Sequence, residues 1–118
     1  MTNEETPFAC DMSAIPAGER DVHVTTSKQL FQSVERVEEL SDGYRFRLSS
    51  EPDVLVLAAQ FIALERLCCP FFAFGLEVEA KKGAVWLSLT GREGVKPFIL
   101  AEIGEHLTGT KITSNRPG

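Results

Sequence analysis

The sequence predicts an α+β fold: two β-hairpins forming a four-stranded antiparallel sheet, with helices packed on one face as a second layer. Three observations lead there. Tyr44, Phe46 and Leu48 alternate with Arg45 and Arg47 behind an Asp42-Gly43 turn signal, which marks a hairpin. Residues 73–79 and 84–90 repeat that period around Lys81-Lys-Gly83, which marks a second hairpin. The segments after each hairpin carry helical spacing instead. The order is then helix, hairpin, helix, hairpin, helix.

The elements follow in chain order. Residues 1–24 lack periodicity, and Pro7, Pro16 and Gly18 mark them as an extended arm. Phe8 and Cys10 interrupt its polarity, so the arm is expected to dock on the body through this apolar knot. The single domain spans 25–107. Thr25 or Thr26 caps a short helix over 27–33, with Leu30 and Phe31 inward. Residues 34–40 supply the first strand, although their glutamates also suit a helix. A helix over 51–68 starts with Ser50 as N-cap and Pro52 in the first turn. In the second hairpin Val85, Leu87 and Leu89 face in, with Trp86 on the outer side or at an interface. A last helix over 94–107 buries a side drawn from Val95, Phe98, Ile99, Ala101 and Ile103. Residues 108–118 read as a frayed tail.

Composition narrows the function. Apolar residues at 43% and charged residues at 25% are the proportions of soluble globular proteins. A net charge of −5 disfavours nucleic acid as a partner. No stretch approaches the ~18 apolar residues of a membrane span. The first residues, Met1-Thr-Asn-Glu-Glu, lack the basic and apolar regions of a secretory signal, so the expected location is cytoplasmic. An odd cysteine count in a reducing compartment then predicts that Cys10, Cys68 and Cys69 are free, buried or metal-bound and not disulfide-paired.

The candidate site lies at the end of the central helix. Steps of 100° from Val54 place Val54, Leu57, Ala58, Phe61, Ile62 and Leu64 on one apolar side. Glu65 falls near its middle, with Cys68 and Cys69 on either flank. Neighbours at i+3 and i+4 have Cβ atoms about 5–6 Å apart, close enough to share one ligand. Pro70 disfavours helical geometry at Cys69, so both thiols sit at the negative end of the helix dipole. That position disfavours a nucleophilic thiolate and favours capture of a soft cation.

The sequence reading is therefore a metal site of Cys68, Cys69 and Glu65, with Cys10 as a further ligand if the arm reaches it. The ligand is Zn(II) or another soft metal or metalloid ion, held for sensing, sequestration or structure. Two readings stand beside it. One is an interaction domain or homodimer with inert thiols, its contact drawn from Leu55, Val56 and Leu67 off the main stripe. The other is a thiol enzyme with a cysteine nucleophile and Glu65 as base. Without a cation, Glu65 needs a proton, a hydrogen-bond donor or an arginine such as Arg45 or Arg47. His23 and His106 lie at no zinc spacing and read as solvated or structural. No phosphate loop, nucleophile elbow or paired Cys-x-x-Cys motif is present.

The segments Leu64-Glu-Arg-Leu-Cys-Cys-Pro-Phe-Phe72, Val85-Trp-Leu-Ser-Leu-Thr-Gly91 and Glu93-Gly-Val-Lys96 resemble a group of small uncharacterised bacterial proteins. Similar segments are fused to MerR-type regulators, which sense metals. Asp42-Gly-Tyr-Arg-Phe-Arg47 and the isolated Cys10 fit as well, so the resemblance covers most of residues 8–104. Its specific part is Glu-x-x-Cys-Cys-Pro-Phe. The group's turn reads Thr-Gly-Pro-Glu-Gly, and Arg92 stands here in place of its proline. The resemblance implies soft-metal chemistry by association and carries no activity.

Overall fold

The sheet is built from two hairpins joined side by side. The structure, a computed structural model, describes residues 8–107 and 112–114. Strands β1 (Val34–Leu40) and β2 (Gly43–Leu48) form the first hairpin, and β3 (Ala73–Val78) and β4 (Val85–Thr90) the second. β2 pairs with β4, which gives four antiparallel strands in the order β1-β2-β4-β3. The register places Val37 opposite Phe46, Phe46 opposite Leu87 and Leu87 opposite Leu76, one apolar row across all four strands. Gly43 lets β2 and β4 approach closely, because a Cβ there would lie 2.0 Å from the Leu89 carbonyl oxygen.

Three helices pack against this sheet: α1 (Arg20–Gln32), α2 (Pro52–Cys68) and α3 (Val95–Ile103). Aromatic rings join the layers. Phe31 of α1 meets Phe46 of β2 at 5.3 Å and Phe61 of α2 at 5.2 Å, both edge to face. Val95, Ile99 and Ile103 repeat at the i, i+4 spacing of one helix face and bury α3 in the same core. The predicted α+β architecture is the one observed.

Some boundaries differ from expectation. α1 begins at Arg20, well before residue 27, and Thr26 is a buried residue inside it, not a cap. Val22 and Val24 are exposed while His23 and Thr26 are buried, which hides the helical period. The N-cap of α2 is Glu51, not Ser50, and it makes no side-chain cap bond. The Glu51 N–H donates instead to Ser49 Oγ, at 3.3 Å. Trp86 occupies the outer sheet face yet is buried, because the Arg45 guanidinium covers its ring at 4.0 Å. In α3, Ala101 is exposed and Phe98 half-buried. A fifth strand, β5 (Ile112–Ser114), pairs parallel with β1 where the sequence reading placed only a frayed tail. Among the described residues no helix is long and apolar enough to cross a membrane.

Candidate metal centre

The final turn of α2 and the N-terminal arm meet at one place. Cys69 leaves the helix at φ −128°, ψ 69°, as the following proline dictates, and its N–H donates to the Glu65 carbonyl at 2.8 Å. A helix end leaves several carbonyls without intrahelical donors. The arm satisfies one of them: the Asp11 N–H donates to the Cys68 carbonyl at 2.9 Å. Phe8 anchors the arm against Phe71, with ring centroids 5.2 Å apart, and the Arg92 guanidinium lies over the Phe8 ring at 4.0 Å from its centre. Gly94 makes room for Phe8, since a Cβ there would come within 2.9 Å of the ring.

Docked this way, Cys10 reaches the helical thiols. Cys10 and Cys69 are joined by a disulfide, with Cα atoms 4.8 Å apart. This corrects the expectation that all three thiols are unpaired. That expectation rested on cysteine count and compartment, and neither carries information about where the arm lies. Cys68 remains free and buried, its Sγ 3.6 Å from Cys69 Sγ and 3.6 Å from Glu65 Oε1. Ligand atoms of Cys10, Glu65, Cys68 and Cys69 all lie within 4.8 Å of one another.

Glu65 finds its partner in a residue the sequence reading set aside. His23 Nε2 lies 2.7 Å from Glu65 Oε1. The arginines considered for that role serve elsewhere: Arg45 pairs with Glu38 at 2.7 Å and Arg47 with Glu35 at 3.6 Å. His23 is 3% exposed, and its ring stacks on Phe61 at 5.7 Å. Its second nitrogen, Nδ1, is buried with no hydrogen-bond partner among the described residues. A helical stripe of His23, Thr26, Leu30 and Phe31 would have signalled this placement, had a histidine been admitted to the inward face.

Electrostatics follow from this burial. The Cys68 thiol is pushed up to about 12 from an ordinary 9.0, first by desolvation and then by the negative charge and hydrogen bond of Glu65. Its proton is held tightly, which is the opposite of an activated nucleophile. A cavity of ≈ 200 Å³ borders the cluster, lined in part by Cys10, His23, Glu65, Cys68, Glu102 and His106. His106 reaches only Glu105, at 3.8 Å, among the described residues.

Fold and site together define a small α+β domain with a Cys/Glu cluster that can hold a metal ion. No family model, curated protein or solved structure matches the chain.

Proposed function

We propose that the protein, with its Cys10–Cys69 bond reduced, binds one soft metal or metalloid ion at Cys10, Cys68, Cys69 and Glu65. The observation that carries this reading is the convergence of three sulfurs and one carboxylate from two separate segments within 4.8 Å. Two sulfurs on a tetrahedral zinc with bonds of about 2.3 Å lie about 3.8 Å apart. The Cys68–Cys69 separation of 3.6 Å is close to that span. Thiolate ligands select soft ions, and the set suits Zn(II), Cu(I), Hg(II) or trivalent arsenic. Glu65 serves as fourth ligand or as acceptor of a thiol proton, and His23 orients it, as carboxylates and histidines around metals are generally oriented. The resemblance of Glu65-Arg-Leu-Cys-Cys-Pro-Phe71 to segments fused to metal-sensing regulators points the same way.

The test is titration of the reduced, chelator-free protein with Zn(II) and, separately, with arsenite. One equivalent of either ion is expected to bind, with binding lost in the Cys68→Ser/Cys69→Ser double variant. Equal binding by that variant overturns the assignment.

A further inference from the structure

The disulfide and the cluster use the same atoms. Two of the three sulfurs in the cluster are bonded to each other, and a sulfur in a disulfide has no thiolate to offer a metal. The arm that brings Cys10 is also seated without that bond. Asp11 N–H caps Cys68, Phe8 packs on Phe71, and Ile15, fully buried, plugs the core behind them. Breaking the bond therefore leaves Cys10 beside Cys68 and Cys69.

We infer that the Cys10–Cys69 disulfide is a redox gate on the metal centre, opened by a small thiol or dithiol that attacks the sulfur of Cys10. This rests on the metal-binding reading above and adds what controls it.

Accessibility sets the direction of attack. Cys69 is 0% exposed and Cys68 1% exposed, whereas Cys10 is half-buried and lines the cavity. An incoming thiolate reaches Cys10 Sγ from the cavity. A bond forms between the two sulfurs, the Cys10–Cys69 bond breaks, and Cys69 leaves with the electron pair and takes up a proton. The second thiol of a dithiol, or a second molecule of a monothiol, then attacks the sulfur bound to Cys10, and Cys10 leaves with the electron pair and takes up a proton. Two electrons and two protons pass to the protein from one dithiol or two monothiols, which become a disulfide. Closing the gate reverses these steps, with a disulfide of small thiols as oxidant.

Cys68 does not close the gate on its own. It is adjacent in sequence to Cys69, and a bond between neighbours is strained relative to the longer loop. In the structure it is the free thiol, ready to complete a three-sulfur site once the other two are freed.

The experiment uses the full chain in two forms, oxidised with glutathione disulfide and reduced with a phosphine that is then removed. Peptide mapping assigns the disulfide in the first form. Zn(II) and arsenite are titrated into both. Removing mere outer partners of metal ligands costs about 10–100-fold in affinity. Losing two sulfurs is thus expected to weaken binding by at least about 100-fold in the oxidised form. Brief exposure of the oxidised form to glutathione is expected to leave the adduct on Cys10 and not on Cys69. The Cys10→Ser variant is expected to bind more weakly than the reduced protein but equally before and after oxidant.

Equal binding by both forms overturns the gate and leaves the metal reading standing. Absence of binding in both forms overturns the metal reading, and the gate with it. An oxidised form bridged between other cysteines, an adduct on Cys69, or binding by Cys10→Ser that still responds to oxidant each overturns the gate alone.

Discussion

Cys68 and Glu65 determine what the centre can do, and both effects are measurable. The Cys68 thiol holds its proton up to about 12 in the folded protein, against 9.0 for an ordinary thiol. Between these values the folded chain binds more protons than the unfolded one. The stability this contributes is complete below pH 9.0 and is lost as pH rises toward 12. Urea midpoints taken at about pH 8 and about pH 10.5 should therefore fall more steeply for the wild type than for Cys68→Ala. Parallel falls would show that the thiol is not perturbed. Glu65 and His23 are tested as a pair. Glu65→Ala leaves a buried ring with no polar partner and should cost about 2–3 kcal/mol in urea unfolding. The same change made beside His23→Phe should cost less, by about 1 kcal/mol or more of coupling. At this scale the sequence disclosed what lies within one helical turn. Glu65, Cys68 and Cys69 were visible because their spacing alone puts them together. His23 was not, because its contact with Glu65 spans 42 positions and nothing in the spacing points across them.

Among the elements, the hairpins and α2 were the most legible. Tyr44, Phe46 and Leu48 alternate because one face of β2 is core and the other carries Arg45 and Arg47. α1 was read too short because Val22 and Val24, exposed, break the period on its polar side. Propensity cannot reveal such an inversion, since it is set by what α2 presents to the helix. The second hairpin holds a local conflict that tertiary structure overrides. Lys81 and Lys82 both adopt positive φ, 61° and 58°, where a side chain is disfavoured. Two-residue turns of this shape prefer Asn-Gly. Replacing the pair by Asn-Gly should stabilise the protein by about 1 kcal/mol, read as a raised thermal midpoint, with no change in metal binding. A lowered midpoint would mean that the lysine side chains make up for the strain.

For the whole molecule, the disulfide closes a large loop. It joins positions 59 apart and so ties the arm to the end of α2 around α1, the whole first hairpin and α2. A loop of that size restrains the unfolded chain by about 4 kcal/mol in the chain-entropy account. Reduction should lower unfolding free energy by about 2–4 kcal/mol, measured in urea with and without reductant. Saturating the reduced protein with Zn(II) should return part of that loss by mass action. A reduced protein as stable as the oxidised one would mean that the docked arm, through Phe8, Asp11 and Ile15, carries the restraint without a covalent bond. The arm's destination was the least legible feature of the fold. Its apolar knot predicted that it docks, but the capping bond from Asp11 depends on a carbonyl that exists only once α2 has ended.

The sheet's two margins differ in what they offer to other chains. β5 covers the outer side of β1, whereas β3 has no further strand beside it among the described residues. Its backbone donors and acceptors on that side form a template on which a foreign strand can be laid. Glu77 and Glu79 stand exposed along and just beyond it, on a molecule already carrying −5. A second copy arriving there brings the same carboxylates, so mutual repulsion guards the margin in dilute buffer, and the guard weakens as added salt shortens the reach of those charges. Precipitation on raising ionic strength would accordingly begin at this strand.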